Sequence, residues 1–371
     1  CPMLHLGFST LSGHVQLSCD EEHMQHLQRL RGRFVSARPT GHDRCTFDLG
    51  VEDFLENLRE LALWPIEDEN NVSWEPALLN LVEGNYADAA VMESRLLEGE
   101  EHSSSVDVDS LGGGWTAPLT DFQIRDAGKI LGLTHGANFS VPGAGKTRVA
   151  LAVFQARRDL HEVERMLVVC PKSAFETWED EVSICFGDSP PSVAIMDDRH
   201  PPEADIVLLN YERLPEARGA LVAWLEDPDS LLVLDEAHRM KRGHGGAWGS
   251  ACLALGPHAK RRLILTGTPA PNGASDLENL FAFVWPGRGR AHVARALSGR
   301  DLRGASQILR PLFVRTTKSE LQLPPASITV RRIELLPLHR ELYDALLGQL
   351  SGSLRGGGDE LEALGRVLLY L

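Results

Sequence analysis

The segment Pro142-Gly-Ala-Gly-Lys-Thr147 follows Ala137, Phe139 and Val141, which alternate as in a strand, and precedes Val149, Ala150, Val153 and Phe154 at helical spacing. A strand, a glycine turn and Lys-Thr opening a helix together suit the phosphates of a nucleotide. Pro142, Gly143, Ala144 and Gly145 would turn backbone N–H groups inward on an anion, and the helix N-terminus adds positive potential. Lys146 would neutralise the β- and γ-phosphates, and the Thr147 hydroxyl would ligate Mg²⁺. Ser140 stands where the strict pattern has its first glycine. A second constellation is the apolar run Ser230–Leu234 ending in Asp235-Glu-Ala-His238. At such a strand tip Asp235 would hold Mg²⁺, and Glu236 would orient and deprotonate an attacking water. A third is Leu263–Leu265, ending in Thr266, Gly267, Thr268 and Pro269, whose hydroxyls can hydrogen-bond the acid pair and pass its state onward.

These groups need a scaffold, and the apolar runs supply one. Met166–Cys170 and Ile206–Leu209 are continuously apolar, as buried parallel strands are. Ligands gather at the carboxyl ends of such strands, which places Lys172 and Ser173 to meet a phosphate backbone. Phe175, Trp178, Val182 and Ile184 mark the helix that follows, with the aromatic pair read as core. Leu277, Leu280, Phe281 and Val284 mark another helix. Ahead of the glycine turn, Leu119–Leu131 has a helical face at Phe122, Ala127, Ile130 and Leu131. Gln123 on this helix carries an amide that can pair with the Hoogsteen edge of adenine and select ATP.

The chain has 371 residues, 43% hydrophobic and 24% charged, with a net charge of −15. That size suits two or three domains, and the composition is that of a water-soluble globular protein. No apolar run reaches membrane-spanning length. Six scattered cysteines without a Cys-x-x-Cys pair fit a reducing, cytoplasmic setting in a bacterium, or a nuclear one in a eukaryote. The acidic balance excludes a broadly basic nucleic-acid coat but leaves room for a local basic groove. The chain starts at Cys1 and stops at Leu371 inside an apolar run, so a longer parent is expected.

Residues 1–65 read as a β-α-β-β-α module. A strand covers His14–Leu17, a helix capped by Asp20 carries Met24, Leu27 and Leu30, strands cover Arg33–Ala37 and Arg44–Asp48, and a helix carries Phe54–Ala62. Cys19, His23, His26, His42 and Cys45 match no zinc spacing; surface histidines and buried cysteines account for them. Residues 66–115 hold one or two helices broken near Gly84 and an acidic, Ser- and Gly-rich linker from Glu98 to Gly114. Residues 116–335 would form the core domain. Residues 336–371 would be a connector, after a strand at Ser327–Leu335 and with helices at Glu341–Leu350 and from Leu361. The arginines from Arg288 to Arg315 make the most basic stretch, either a DNA-facing stripe or a solvated face.

The ordered set Phe122-Gln123, Pro142–Thr147, Val169-Cys-Pro-Lys-Ser173, Leu209-Asn-Tyr-Glu212, Asp235–His238 and Leu265-Thr-Gly-Thr-Pro-Ala-Pro-Asn272 resembles the first motor lobe of the Snf2-like superfamily 2 helicases. Phe313-Val-Arg-Thr-Thr-Lys318 and Leu323-Pro-Pro325 resemble the segment leaving that lobe. The resemblance implies a RecA-like α/β fold with a central, mostly parallel sheet, ATP and Mg²⁺ as cofactors, and translocation on double-stranded or branched DNA. It places His238 beside the nucleotide, and Lys172, Ser173, Tyr211, Asn272 and Lys318 along the DNA. It also implies a second RecA-like lobe, beyond this chain, whose arginine finger completes the ATP site. Asn138-Phe-Ser-Val, in place of an acidic stretch, points to a bacterial or divergent branch. Leu27–Phe34 and Arg44–Phe47 resemble the HARP module found beside annealing-helicase motors, which would put Arg31, Arg33, Arg38 and Arg44 on DNA phosphates. The alternative there is a plain α/β module with solvated arginines. Two other functions remain open: the motor subunit of a restriction or antiviral complex with a nuclease partner, and an ATP-switched protein-assembly factor.

Overall fold

The computed structural model describes residues 3–9, 13–40, 43–65, 71–99, 111–112, 114–298 and 302–321, with isolated positions beyond. Cys1–Gln322 is one compact unit and Leu323–Leu371 a second. Most of the acidic linker, His42, Arg300 and the elements expected after Ser327 lie outside the described residues.

The first sheet comprises β1 (Leu4–Ser9), β2 (His14–Cys19), β3 (Arg38–Pro39), β4 (Thr46–Gly50) and β5 (Val72–Trp74), with α1 (Met24–Arg31) and α2 (Val51–Glu56) between strands. Its order is β3-β4-β2-β1-β5. Alternation buries Leu4, Leu6, Val15, Leu17, Phe47 and Leu49 against Leu27, Leu30 and Phe54. Several boundaries differ from the sequence expectation. Arg33–Ala37 is a turn and not a strand: Phe34 anchors in the core, Val35 is 98% exposed, and Ser36 donates from its N–H and hydroxyl to Asp53 at 2.7 Å each. A side-chain carboxylate thus takes the place of a ladder partner. Asp20 makes no side-chain cap, because a 3-10 turn over Glu21–His23 precedes α1. The paired strand begins at Thr46 and not at Arg44. β1 and β5 have no counterpart in the sequence reading. His23 and His26 pack around Trp64, with ring centroids 6.3 and 6.2 Å away.

Helix α3 (Pro76–Glu98) runs unbroken for 23 residues through Gly84. Gly84 is exposed and costs about 1 kcal/mol relative to Ala. Burial of Leu78, Val82, Asn85, Ala89 and Met92 along one stripe outweighs that cost.

The second sheet is parallel throughout, in the order β12-β6-β11-β10-β7-β9-β8. In chain order the elements are α4 (Asp121–Leu131), β6 (Gly136–Asn138), α5 (Lys146–Asp159), β7 (Arg165–Cys170), α6 (Phe175–Phe186), β8 (Val193–Ile195), β9 (Ile206–Asn210), α7 (Leu214–Glu226), β10 (Ser230–Asp235), α8 (Ala247–Leu255), β11 (Arg261–Leu265), α9 (Ala274–Val284), α10 (Arg288–Leu297), α11 (Leu302–Leu309) and β12 (Phe313–Val314). Alternate strand residues feed two cores. Leu167, Val169, Leu232, Leu234 and Ile264 face one, with α7, α8 and α9; Met166, Val168, Leu231, Val233 and Leu265 face the other, with α5 and α6. Apolar burial on both faces is what lets these strands be short and uniformly aliphatic.

The first module and α3 dock at the amino ends of this sheet. Asp88 of α3 meets His135, just before β6, at 2.6 Å, and Arg262, at the start of β11, at 3.2 Å. The Arg262 backbone N–H donates to His135 Nδ1 at 3.2 Å, while Nε2 faces both the Asp88 carboxylate and the Arg262 guanidinium. Burial, helped by Arg262, pushes the His135 pKa down to about 3, so the ring is neutral. Burial alone would raise Asp88, but His135 and Arg262 hold it below its ordinary value. Arg288 and Arg290, candidates for a DNA stripe, pair with Glu93 at 2.9 Å and Glu56 at 2.5 Å and help join module to sheet.

Candidate nucleotide-binding site

The opposite rim of the sheet carries the residues with chemical potential. Beyond Asn138 the chain stays extended, Phe139 N–H donating to Val314 O at 2.8 Å and Val141 N–H to Thr316 O at 3.1 Å. It then turns through Gly143 at φ +85° and Gly145 at φ +72°. Gly145 is required twice over: its backbone is left-handed, and a Cβ there would collide with the Gln123 amide nitrogen. Among the described residues no side chain caps α5, so its first N–H groups are left for a partner such as an anion. Lys146 Nζ donates to Ser140 O at 3.2 Å, and Thr147 follows in the first turn.

Across the crevice, Asp235 ends β10. Its carboxylate accepts Trp178 Nε1–H at 3.0 Å and the Glu236 N–H at 2.8 Å, and its carbonyl accepts the Tyr211 hydroxyl at 2.8 Å. Burial raises the Asp235 pKa above the ordinary range, against the pull of those donors and of the Lys146 charge. Glu236 is left-handed at φ +47°, ψ +47°, a rare state for a side-chain-bearing residue, with a cost of about 1–2 kcal/mol. This kink turns the Glu236 side chain off the strand line, leaving it 42% exposed.

Strand β11 lies between the two halves, Leu265 pairing with Asn138 on one side and Asp235 on the other. The glycine turn and acid pair are thus two strand spacings apart, about 10 Å. The turn after β11 fills the floor. A Cβ on Gly267 would sit 3.0 Å from Pro142 Cδ. Thr266, fully buried, accepts the Thr268 N–H at 3.2 Å and lies 3.2 Å from His238 Nδ1, which is itself 3.2 Å from Glu236 Oε2. Glu236, His238, Thr266 and Thr268 therefore form one polar line running out of the crevice.

The same rim presents Lys172 and Ser173 after β7, Asn272 after β11 and Lys318 after β12, all exposed. Tyr211 differs from expectation. It is fully buried and its hydroxyl is bound to Asp235, so it supports the acid strand and cannot lie along a DNA strand. Gln123 differs as well. It is 6% exposed, with Oε1 accepting the Thr120 N–H at 3.0 Å and Nε2 donating to Ala144 O at 3.4 Å. Its amide braces the glycine turn from inside the protein. Trp178 has a role beyond the core packing expected of it. A buried indole N–H needs a partner, and its position on the helix beside β10 was the available clue. The Asp126–Ser140 bond, at 3.2 Å, had no sequence signal beyond the missing glycine.

A parallel sheet with a glycine turn and an acid pair flanking one intervening strand defines a RecA-like nucleotide-binding domain. The family model described as "SNF2-related domain" matches residues 139–355, more than half the chain, and the chain belongs to that family. It is 29% identical over 219 residues to DNA repair protein RAD5A of Arabidopsis thaliana, covering 48% of this chain and 20% of that protein. It is 26% identical over 258 residues to the human SWI/SNF-related matrix-associated actin-dependent regulator of chromatin subfamily A member 1, covering 62% and 24%. The chain spans under a third of the length of such curated relatives, from 15% to 30%. Among solved structures it is similar to the Sulfolobus solfataricus SWI2/SNF2 ATPase core domain, with 24% identity, a TM-score of 0.48, and 74% and 60% coverage of the two chains. It is also similar to that core in complex with dsDNA, with 25% identity, a TM-score of 0.46, and 70% and 58% coverage.

Proposed function

We propose that this chain carries the ATP site of a DNA-dependent ATPase that moves on or remodels duplex or branched DNA. The observation that carries this reading is the placement of the glycine turn and the acid pair on either side of β11, where Leu265 pairs with both Asn138 and Asp235 and Gly267 lies against Pro142. Lys146 and the first N–H groups of α5 would bind and orient the β- and γ-phosphates. Glu236, half-exposed and paired among the described residues with His238, would take the proton of the attacking water. A hydroxyl and a carboxylate, Thr147 and Asp235, are the hard oxygen donors that Mg²⁺ takes, and they would hold it. Bound there, Mg²⁺ would neutralise charge developing on the phosphates.

His238, Thr266, Gly267 and Thr268 would relay the state of the acid pair to Asn272. Lys172, Ser173, Asn272 and Lys318 would meet DNA phosphates. The names of the relatives, in DNA repair and chromatin regulation, support a DNA substrate. Within the chain we assign residues 1–65 to the accessory module, 66–115 to α3 and a linker, 116–335 to the motor lobe and 336–371 to a connector. A second lobe supplying an arginine finger typically contributes about 10³-fold or more, so turnover by these 371 residues alone is expected to be slow. The setting would be cytoplasmic and nucleoid-associated in a bacterium.

Titration with Mg·ATP tests the site. Lys146→Ala should weaken binding about 100-fold with the fold intact; unchanged affinity would reject the assignment. DNA binding over a salt series should show the steep slope of several phosphate contacts, whereas a flat profile would favour the protein-assembly reading.

A further inference from the structure

Ser140 replaces the first glycine of the loop pattern, and it is engaged at every polar atom. Its N–H donates to Asn138 Oδ1 at 3.0 Å. Its carbonyl accepts Lys146 Nζ at 3.2 Å. Its hydroxyl accepts the Thr316 N–H at 2.8 Å and donates to Asp126 Oδ2 at 3.2 Å. Asp126 Oδ2 also accepts the Thr316 hydroxyl at 2.8 Å. Asp126 Oδ1 is gripped by Arg125 through Nε at 2.9 Å and Nη2 at 2.8 Å, and Arg125 Nη1 reaches Glu320 at 2.5 Å. Glu320 also accepts the Thr317 N–H at 2.7 Å. Ser140, Asp126 and Thr316 are 1%, 2% and 0% exposed, so these bonds are shielded from water.

Holding β12 beside β6 does not need this network. The bonds Phe139 N–H to Val314 O and Val141 N–H to Thr316 O already do that. The peptide plane between Ser140 and Val141 is the informative part. Its carbonyl accepts Lys146, and its N–H donates to Thr316 O. A peptide unit is rigid and planar. Lys146 has three N–H donors, so a bound phosphate would pull on the same ammonium that donates to that carbonyl, and any tilt of the plane reaches Thr316 directly. The Ser140 hydroxyl and Asp126 grip the same residue from the other side.

We infer that Ser140 and Asp126 are positioning residues that transmit nucleotide occupancy from Lys146 to the Thr316–Leu321 segment, from which the chain runs into Leu323–Leu371. This rests on the nucleotide site proposed above. A serine at this position, where a glycine would suffice for phosphate contact, is then a device for coupling.

Amide hydrogen exchange of the 371-residue chain, with and without the Mg²⁺ complex of a non-hydrolysable ATP analogue, tests it. Exchange in residues 314–321 should change by about fivefold or more on saturation. In Ser140→Gly and Asp126→Asn the analogue should bind within about threefold of the parent affinity, while that response disappears. A purely structural role would shift the baseline exchange and leave the response to nucleotide in place. Binding by the parent chain with no change at 314–321, or an undiminished response in Ser140→Gly, overturns the relay. Absence of binding by the parent chain overturns the nucleotide site, and the relay with it.

Discussion

The two rims of the parallel sheet are built from similar letters and put to opposite uses. At the amino ends, Asp88, His135 and Arg262 form a closed set. Arg262 is 4% exposed and also donates to the carbonyls of Val284 and Gly256 at 2.9 and 3.0 Å. At the carboxyl ends, Lys146 hydrogen-bonds a backbone carbonyl, Asp235 is half-buried with its pKa raised, and Glu236 sits in a left-handed backbone. Satisfied charge at one rim fixes the accessory module in place. Partly exposed charge and a strained backbone at the other suit a site that a ligand would complete.

That contrast can be broken by substitution. Glu236→Gln should leave Mg·ATP affinity nearly unchanged and slow turnover by about 10²–10⁴-fold, read from steady-state phosphate release. Comparable loss of affinity would mean that Glu236 binds rather than activates. Asp88→Ala should do the reverse. Leaving a buried Arg262 without its carboxylate should cost about 3–5 kcal/mol in denaturant unfolding, with nucleotide affinity per folded molecule unaltered. Trp178→Phe removes a donor to a buried carboxylate, so Mg²⁺-dependent nucleotide affinity should fall about tenfold while Mg²⁺-free binding holds.

A smaller effect sharpens the account of the module interface. Glu52 on α2 is 8% exposed, and its Oε2 has no hydrogen-bond partner among the described residues. Burial raises its pKa above the ordinary carboxylate value. The folded state therefore holds this proton more tightly than the unfolded state, and stability is lost as pH rises from the ordinary range through the raised value. Glu52→Gln should stabilise the chain at pH 7 by about 1 kcal/mol and leave it unchanged near pH 4. An equal effect at both pH values would show that packing, and not charge, is involved.

The sequence made the carboxyl-end rim legible for a physical reason. Strands β7, β10 and β11 each carry an aliphatic run, so the first polar residue after it marks a strand tip: Lys172 after Cys170 and Pro171, Asp235 after Leu234, Thr266 after Leu265. The accessory module was less legible because its edges depend on partners distant in sequence. Phe34 and Val35 alternate like a strand, but the Asp53 carboxylate takes Ser36 instead. Gly84 suggests a break that the Leu78–Met92 stripe overrides. Gln123 and Tyr211 were assigned to ligands because a letter carries no burial. Both spend their polar atoms inside the protein, one on the glycine turn and one on the acid strand.

Replacing Mg²⁺ by paramagnetic Mn²⁺ in the ATP complex, and recording amide signals of the labelled chain, would locate the bound ion. Broadening should strike Gly143–Thr147, Asp235–Glu236 and Gly267 together and spare His135 and Arg262 at the far rim. Broadening confined to one of those segments, or centred at the far rim, would contradict a nucleotide held between the glycine turn and the acid pair.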